Sequence, residues 1–328
     1  IFVAPWGPEP GLPSLVLFPT GKSTPLPGAG PSRPGSSASD RVPLHTNMRN
    51  SCPKSYNIGM QFIDSHAHLN DPAFDADREE LLSRTLPQAG LILNVEIGCA
   101  PEEWQPALDL VSRYPHSVRA VLGVHPEYAC KMTDAKLTEL AALLPDQRNV
   151  AVGEIGLDYT CFEYTDKDTQ QKTFSQMLAL ANQVQKPIVL HVRRAGEDYA
   201  AYEDTFHTLK HEWKGSCATA HPGVLHCFCA RYEEAKRALD MGLLLGVNGC
   251  FSYKKNEYIR EAVKKAGADK IILETDCPYL SPQGKRGLRN DPSNIPLIGQ
   301  FVADYLNIPL EELAEITTRN TKTLYRLS

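Results

Sequence analysis

The chain has 328 residues, a formal net charge of −5 and 42% hydrophobic residues. That length suits one large α/β domain or two smaller ones. The acidic balance excludes a generally basic protein, so a nucleic-acid partner would have to be held by local positive charge or by metal ions. No apolar run nears the ~20 residues of a membrane-spanning helix. The nine cysteines, odd in number and without a C-x-x-C pair, outline neither a disulfide nor a zinc framework. A reduced, cytoplasmic chain with no membrane contact and no obligate protein partner is expected.

Residues 1–59 read unlike the rest: they hold 11 of the 25 prolines, with clusters such as PGAGPSRPGSSAS, and show no helical or strand periodicity. Such a composition does not bury enough apolar surface to offset its ordering entropy, so a disordered Pro/Gly/Ser-rich leader is predicted there. The short apolar run LVLFP (15–19) has no basic region before it and no small-residue cleavage site after it, unlike a secretory signal. Met60, directly before the first strand-like segment, is expected to be the natural start, which would leave the leader outside the native protein.

From residue 60 to 328, short β-branched or apolar segments alternate with helical patterns. FIDSHAHL (62–69) places Asp64, His66 and His68 at alternate positions, which on a strand share one face. The helical REELLSRTL follows, then the strand LILNVEIG (91–98), the helix PEEWQPALDLVSRY and the strand VRAVLGVHP (118–126), which ends at His125. LTELAALL leads to VAVGEIGLDY (150–159), with Glu154 and Asp158, and TFSQMLALANQVQ leads to PIVLHVR (187–193), with His191 and Arg193. A helix carrying His207 and His211 precedes GVLHCF (223–228), with His226. YEEAKRALDMG, LLLGVNGC (243–250), EYIREAVKKAG and KIILETDCP (270–278), with Glu274 and Asp276, complete the series.

Eight strands alternating with helices predict a single-domain α/β fold, a (β/α)8 TIM-type barrel over 60–328. A doubly wound open sheet competes, but no G-x-G-x-x-G follows an early strand. In such a barrel the chemistry sits where the strands end, and that is where the polar residues fall. Any one of them is unremarkable, since a single His in a half-apolar segment is more often a hydrogen-bonded core residue than a ligand. Together His66, His68, Glu154, His191, His226 and Asp276 offer four imidazoles and two carboxylates, enough for two divalent ions if Glu154 bridges. Thiolate-free ligation suits Zn²⁺, Mn²⁺ or Co²⁺, and oxygen ligands with water admit Mg²⁺.

The remaining polar residues have blander readings. His125 is expected to touch substrate, Asp158 to cap the turn after its strand, and Glu274 to be a buried hydrogen-bonding partner. His207 and His211 read as a solvated helix face. Cys227 and Cys277 each follow a proposed ligand by one position, which on a strand points them away from the ions.

The ordered set DSHAHL, GVHP, GEIGLD, LHVR, LHCF and LETDCPYL, followed by KRGLRNDP, resembles the TatD-type deoxyribonucleases of the metal-dependent hydrolase (amidohydrolase) superfamily. The likeness runs from about Phe62 to Leu327 and includes the ending EELAEITTRNTKTLYRL. It implies a (β/α)8 barrel with two divalent metals on the residues matching His66, His68, Glu154, His191, His226 and Asp276. It also implies hydrolysis of DNA phosphodiester bonds, commonly as a 3′ to 5′ exonuclease. The chain departs from the usual pattern at Cys229 and Ala230, where the family commonly has Ser and Gly, at Lys285, where it has His, and at Arg194, where it has Asp. These departures bear on substrate preference and remove no proposed ligand.

In the expected mechanism Glu154 bridges the ions, and Asp276 binds one of them and accepts the proton of the attacking water. Arg193, Arg194, Lys254, Lys255, Lys285, Arg286 and Arg289 follow strands five, seven and eight and give local positive charge. Arg193, Arg286 and Arg289 are expected on the phosphates of single-stranded DNA ends, and Tyr279 against a base. Two other functions are kept. A hydrolase on the same platform would act on a lactone, cyclic amide or phosphotriester, and a metal-stabilised barrel without turnover would only bind. A Ser or Cys nucleophile is disfavoured, since no G-x-S-x-G occurs.

Overall fold

The computed structural model describes residues 59–215 and 221–328. The disorder expected in the leader falls outside the described residues, Gly59 apart. Within them the alternation of strand and helix is realised as one parallel sheet in strictly sequential order, β1-β2-β3-β4-β5-β6-β7-β8. The strands are Phe62–Ala67 (β1), Leu91–Gly98 (β2), Val118–Leu122 (β3), Asn149–Asp158 (β4), Ile188–Arg193 (β5), Gly223–Leu225 (β6), Leu244–Val247 (β7) and Ile271–Leu273 (β8). The sheet curls back on itself. Ala67 forms a parallel bridge with Cys277, Asp276 N donates to His66 O at 2.9 Å, and His68 N donates to Cys277 O at 2.9 Å. The result is a nearly closed barrel with helices between its strands.

Why the sequence closes this way is visible in neighbouring residue pairs. Val121, Ala151, Val189, Val224, Leu244 and Ile272 face the lumen. Their immediate successors Leu122, Val152, Leu190, Leu225, Leu245 and Leu273 face outward, against helix residues such as Phe174, Met177, Ile259 and Leu313. A strand buried on both faces reads as an unbroken apolar run, as these do. The helices present one apolar face each. Lys167–Val184 starts where Asp166 accepts from Thr169 N at 2.9 Å, buries Phe174, Met177, Leu178 and Ala181, and stops at Gln185, whose φ of 54° is left-handed.

The last helix, Leu310–Tyr325, closes the floor. Leu324 and Tyr325 join the lumen cluster from below, and Tyr325 OH donates to Ser65 O at 3.1 Å. No helix among the described residues is long and apolar enough to cross a membrane.

The last three strands are shorter than the sequence suggests, because the ladder ends where the chain turns toward the mouth. Cys227 and Asp276 adopt φ of 46° and 56°, and Asn248 leaves β7 by accepting from Cys250 N at 3.0 Å.

Candidate active site

Two of the sheet's register shifts prepare the mouth. Against β2, Asp64 pairs with Asn94 and Ala67 with Glu96, so β1 spends one residue more than its neighbour. Against β5, Gly153 pairs with Val189 and Ile155 with Leu190, which leaves Glu154 as the additional residue. A bulge of this kind breaks the two-residue parity and re-aims a side chain. At β4 it turns Glu154 into the lumen. At β1 it separates Asp64 from the imidazoles it was expected to join. The Asp64 carboxylate instead accepts from Thr275 N at 2.9 Å and Thr275 Oγ1 at 2.5 Å, lacing β1 to the end of β8. Burial pushes the Asp64 carboxyl up to about 7 despite those hydrogen bonds.

The six residues singled out by sequence gather around the carboxylates of Glu154 and Asp276. Glu154 Oε1 lies 2.6 Å from His191 Nδ1 and 3.2 Å from His226 Nε2, and its Oε2 lies 3.4 Å from His66 Nε2. Asp276 Oδ1 is 3.4 Å from His68 Nε2 and 3.7 Å from His66 Nε2. The rings of His66 and His226 stack with centroids 3.6 Å apart. His125 Nε2 stands 4.0 Å from Glu154 Oε1, and its Nδ1 accepts from Glu127 N at 3.1 Å.

The electrostatics follow from crowding acids and imidazoles in a dry place. Burial works against ionisation of Glu154, yet His226 and His66 hold it well below the usual carboxylate range. Burial would lower His68, but its hydrogen bond and attraction to Asp276 lift it to about 9. His191 also reaches about 9, burial being outweighed by Asp158 and Glu154. Burial and the nearby His191 push His125 down to about 3. Burial likewise lowers His66, assisted by His226.

These donors fit divalent cations. His66 is buried, and neither of its ring nitrogens has a hydrogen-bond partner, a costly arrangement unless an unshared lone pair is put to use. Donor atoms of His66, His68 and Asp276 lie within 4.8 Å of one another, as do those of Glu154, His191 and His226. Either trio offers ligands of the type hydrolytic metal sites employ.

Around this ring lie residues with supporting geometry. Glu274 Oε1 sits 3.2 Å from His226 Nδ1 and accepts from Cys227 N at 2.7 Å, while a Cβ on Gly246 would fall 2.7 Å from Glu274 Cδ. Asp158 Oδ2 is 3.2 Å from His191 Nε2, and its Oδ1 accepts from Thr160 N at 2.7 Å, so it both caps its turn and touches the ring. Asp158, His125 and His191 form a further close trio. Glu96 was not singled out by sequence. Its buried carboxylate accepts from Leu69 N at 2.6 Å and Asn70 N at 3.1 Å, which bends the loop after His68. A lone acid inside the apolar run LILNVEIG was the available signal.

The residues expected to meet substrate divide. Arg193 ends β5, half-buried, two residues past His191. Tyr279 stands 6.2 Å from the His68 ring and donates to Asp71 Oδ2 at 3.3 Å. Arg286 is exposed and lies over the Tyr253 ring at 4.7 Å. Arg289 grips Asp77 with both arms, at 2.7 and 2.6 Å, which ties its loop to the one after β1. His207 and His211 are exposed on the helix Ala200–Glu212. Cys277 is fully buried, but Cys227 departs from the expectation. Its left-handed φ rotates it out of strand parity, and its Sγ lies within 4.8 Å of donor atoms of His226 and Asp276.

The chain is similar to known proteins over nearly all of its described residues. The family model for TatD related DNase matches residues 63–326. An uncharacterized metal-dependent hydrolase of Bacillus subtilis, YabD, is 34% identical over 266 residues, covering 81% of this chain and 99% of that protein. The 3′-5′ ssDNA/RNA exonuclease TatD of a Rahnella species is 32% identical over 269 residues, covering 80% of this chain and 97% of that protein. The crystal structure of YJJV, a TatD homolog from Escherichia coli, superposes with a TM-score of 0.72 at 29% identity, covering 81% of this chain and 98% of that one.

Proposed function

The chain belongs to the family of TatD-related DNases and is a metal-dependent hydrolase, and from that premise we propose that it removes nucleotides from the 3′ end of single-stranded DNA in the cytoplasm. Two divalent ions, Mg²⁺, Zn²⁺ or Mn²⁺, would be held by His66, His68, Glu154, His191, His226 and Asp276. The observation that carries this reading is the convergence of four imidazoles and Asp276 on the two oxygens of Glu154 and on one another. Relatives named as 3′-5′ ssDNA/RNA exonucleases support the substrate class.

When bound, the ions supply an acidified water and positive charge for the phosphate oxygens. The chain's own residues do the rest. Asp276, held ionised below the usual carboxylate range although burial opposes this, accepts the proton from the attacking water at its free oxygen. His125, kept neutral near pH 7, offers Nε2 to a phosphate oxygen without competing for a proton. Arg193 supplies a fixed charge for the next phosphate, Arg286 reaches the strand as it enters, and Tyr279 stacks on a base. Arg289 acts indirectly, by holding the loop that carries Arg286.

The test is a panel of 3′-labelled single-stranded DNA, a lactone and a phosphotriester, assayed with the metal-loaded chain. Stepwise shortening from the 3′ end is expected, and Asp276→Asn should lower the rate by about 10²- to 10⁴-fold, the range for losing a general base. Turnover of the lactone or triester without DNA shortening would transfer the site to that substrate. Metal-dependent melting with no turnover on any of them would reduce the barrel to a binding module.

A further inference from the structure

We propose that the floor of the barrel holds a second site, at the opposite end from the mouth, which binds a small organic phosphate with its phosphoryl group against Arg119 and Lys322 and its body against an apolar wall. A cavity of about 610 Å³ lies there, bounded by the amino ends of β1 to β5 and by the end of the last helix. Four cations, Arg119, Lys186, Lys322 and Arg326, line it, and no Asp or Glu side chain does. A carboxylate at Ser328 would offset only one of them. Asp146, between the rim residues Pro145 and Gln147, already has its carboxylate engaged by Arg148, Nη2 to Oδ2 at 2.6 Å. Like charges gathered around one space repel each other, and a bound anion relieves that repulsion. The cations are held in place by backbone carbonyls. Lys186 Nζ donates to Leu144 O at 2.6 Å, Asp146 O at 2.8 Å and Asn149 O at 2.5 Å, which fixes its charge at the wall. Arg119 Nη1 donates to Pro115 O at 2.6 Å and Val118 O at 2.7 Å, which leaves Nε and Nη2 for a ligand. Arg326 Nη2 donates to Gln185 O at 2.7 Å. Lys322 is half-buried, and its Nζ has no hydrogen bond or ion pair among the described residues.

The charge and the size of the cavity together select the ligand class. A phosphomonoester carries about −1.5 to −2 at neutral pH on three acceptor oxygens, whereas a lone carboxylate would leave most of the lining charge uncompensated. The guanidinium fork of Arg119 suits paired phosphate oxygens. The rest of the wall includes Ile92, Val150 and Pro187, which offer an apolar surface to the body of the ligand. The volume falls within the roughly 300–1,000 Å³ of small-molecule sites, more than inorganic phosphate fills. The site draws on nothing at the mouth, so it stands apart from DNA cleavage.

The experiment titrates dAMP, a phosphomonoester with a planar body, into the full chain after its metals and the chelator have been dialysed away, with calorimetric readout. Inorganic phosphate, deoxyadenosine and a 5′-phosphorylated oligodeoxyadenylate are titrated alongside. Saturable binding of dAMP is expected, tighter than that of phosphate or deoxyadenosine. Arg119→Gln and Lys322→Gln should each weaken it by about 10- to 100-fold, the range for losing a hydrogen bond to a charged group. Binding should persist in Asp276→Asn, which separates it from the mouth. A measurement on the wild-type chain removes dependence on the variants' folding. Bound dAMP should shield Lys322 from acetic anhydride, read by peptide mass spectrometry, while the exposed Lys210 reacts equally with and without it. No binding of dAMP, equal affinity for deoxyadenosine, or acetylation of Lys322 unchanged at saturating dAMP would overturn the site. Tighter binding of the oligonucleotide would overturn the small-molecule ligand and assign the phosphate to the end of a strand.

Discussion

At the scale of single residues, the mouth stores protons where it would store metal. His68 and His191 are both lifted to about 9 by neighbouring carboxylates that outweigh burial, so at neutral pH a cation must displace those protons. Apparent Zn²⁺ affinity is therefore expected to rise with pH from about 6 to about 9 and then level off, as read by competition titrations in matched buffers. The metal-free chain should show the opposite trend in stability. A histidine whose folded pKa exceeds its unfolded value of about 6.5 contributes stability that is fully present below that value and lost as pH rises through about 9. Denaturant midpoints of the chelated chain should fall across that window and those of the Zn²⁺-loaded chain should not. Glu274→Gln keeps an oxygen for Cys227 N but loses the charge facing His226. Metal affinity should drop about 10- to 100-fold, and a drop of less than threefold in the same titration would show that His226 is oriented without it.

At the scale of elements, the strands carry more than their sequence announces. The pairs Val189–Leu190, Leu244–Leu245 and Ile272–Leu273 divide cleanly between lumen and helix layer, which is why the barrel and its eight strands were legible in the sequence. The donors were legible for a related reason: a barrel fills its interior with apolar residues, so His and Glu at strand ends stand out. The bulges were not, because an extra residue in β1 or β4 exists only relative to a neighbouring strand, and single-strand parity therefore misplaced Asp64. Cys227 was misjudged likewise, since its left-handed turn depends on Glu274, 47 positions away. Arg289 illustrates a third limit, because charge alone does not reveal that Asp77 has already engaged its fork.

Two element-level predictions follow from these contacts. Thr275→Val removes the hydroxyl on the buried Asp64 carboxyl, and unfolding by urea should show a loss of about 1–3 kcal/mol. Gly246→Ala drives a methyl against Glu274, and the same metal titration should place it beside Glu274→Gln, whereas wild-type affinity would show that β7 yields.

At the scale of the whole molecule, the barrel is stoppered from below by its own last helix. Leu324 is fully buried in the lumen cluster, and Leu324→Ala should cost about 2–5 kcal/mol. Tyr325→Phe, which loses only the bond to Ser65 O, should cost about 1 kcal/mol. Denaturant melts of both variants check the ratio, and equal losses would mean that Tyr325 stabilises mainly through its hydroxyl.

The lacing of Asp64 to Thr275 spans 211 positions of chain. During synthesis the two leading histidines emerge long before the aspartate that completes their trio, so a half-made polypeptide carries an unfinished set of donors and an open seam. A fragment that stops before the eighth strand lacks both Thr275 and Asp276, so its seam stays open and its donor trio incomplete.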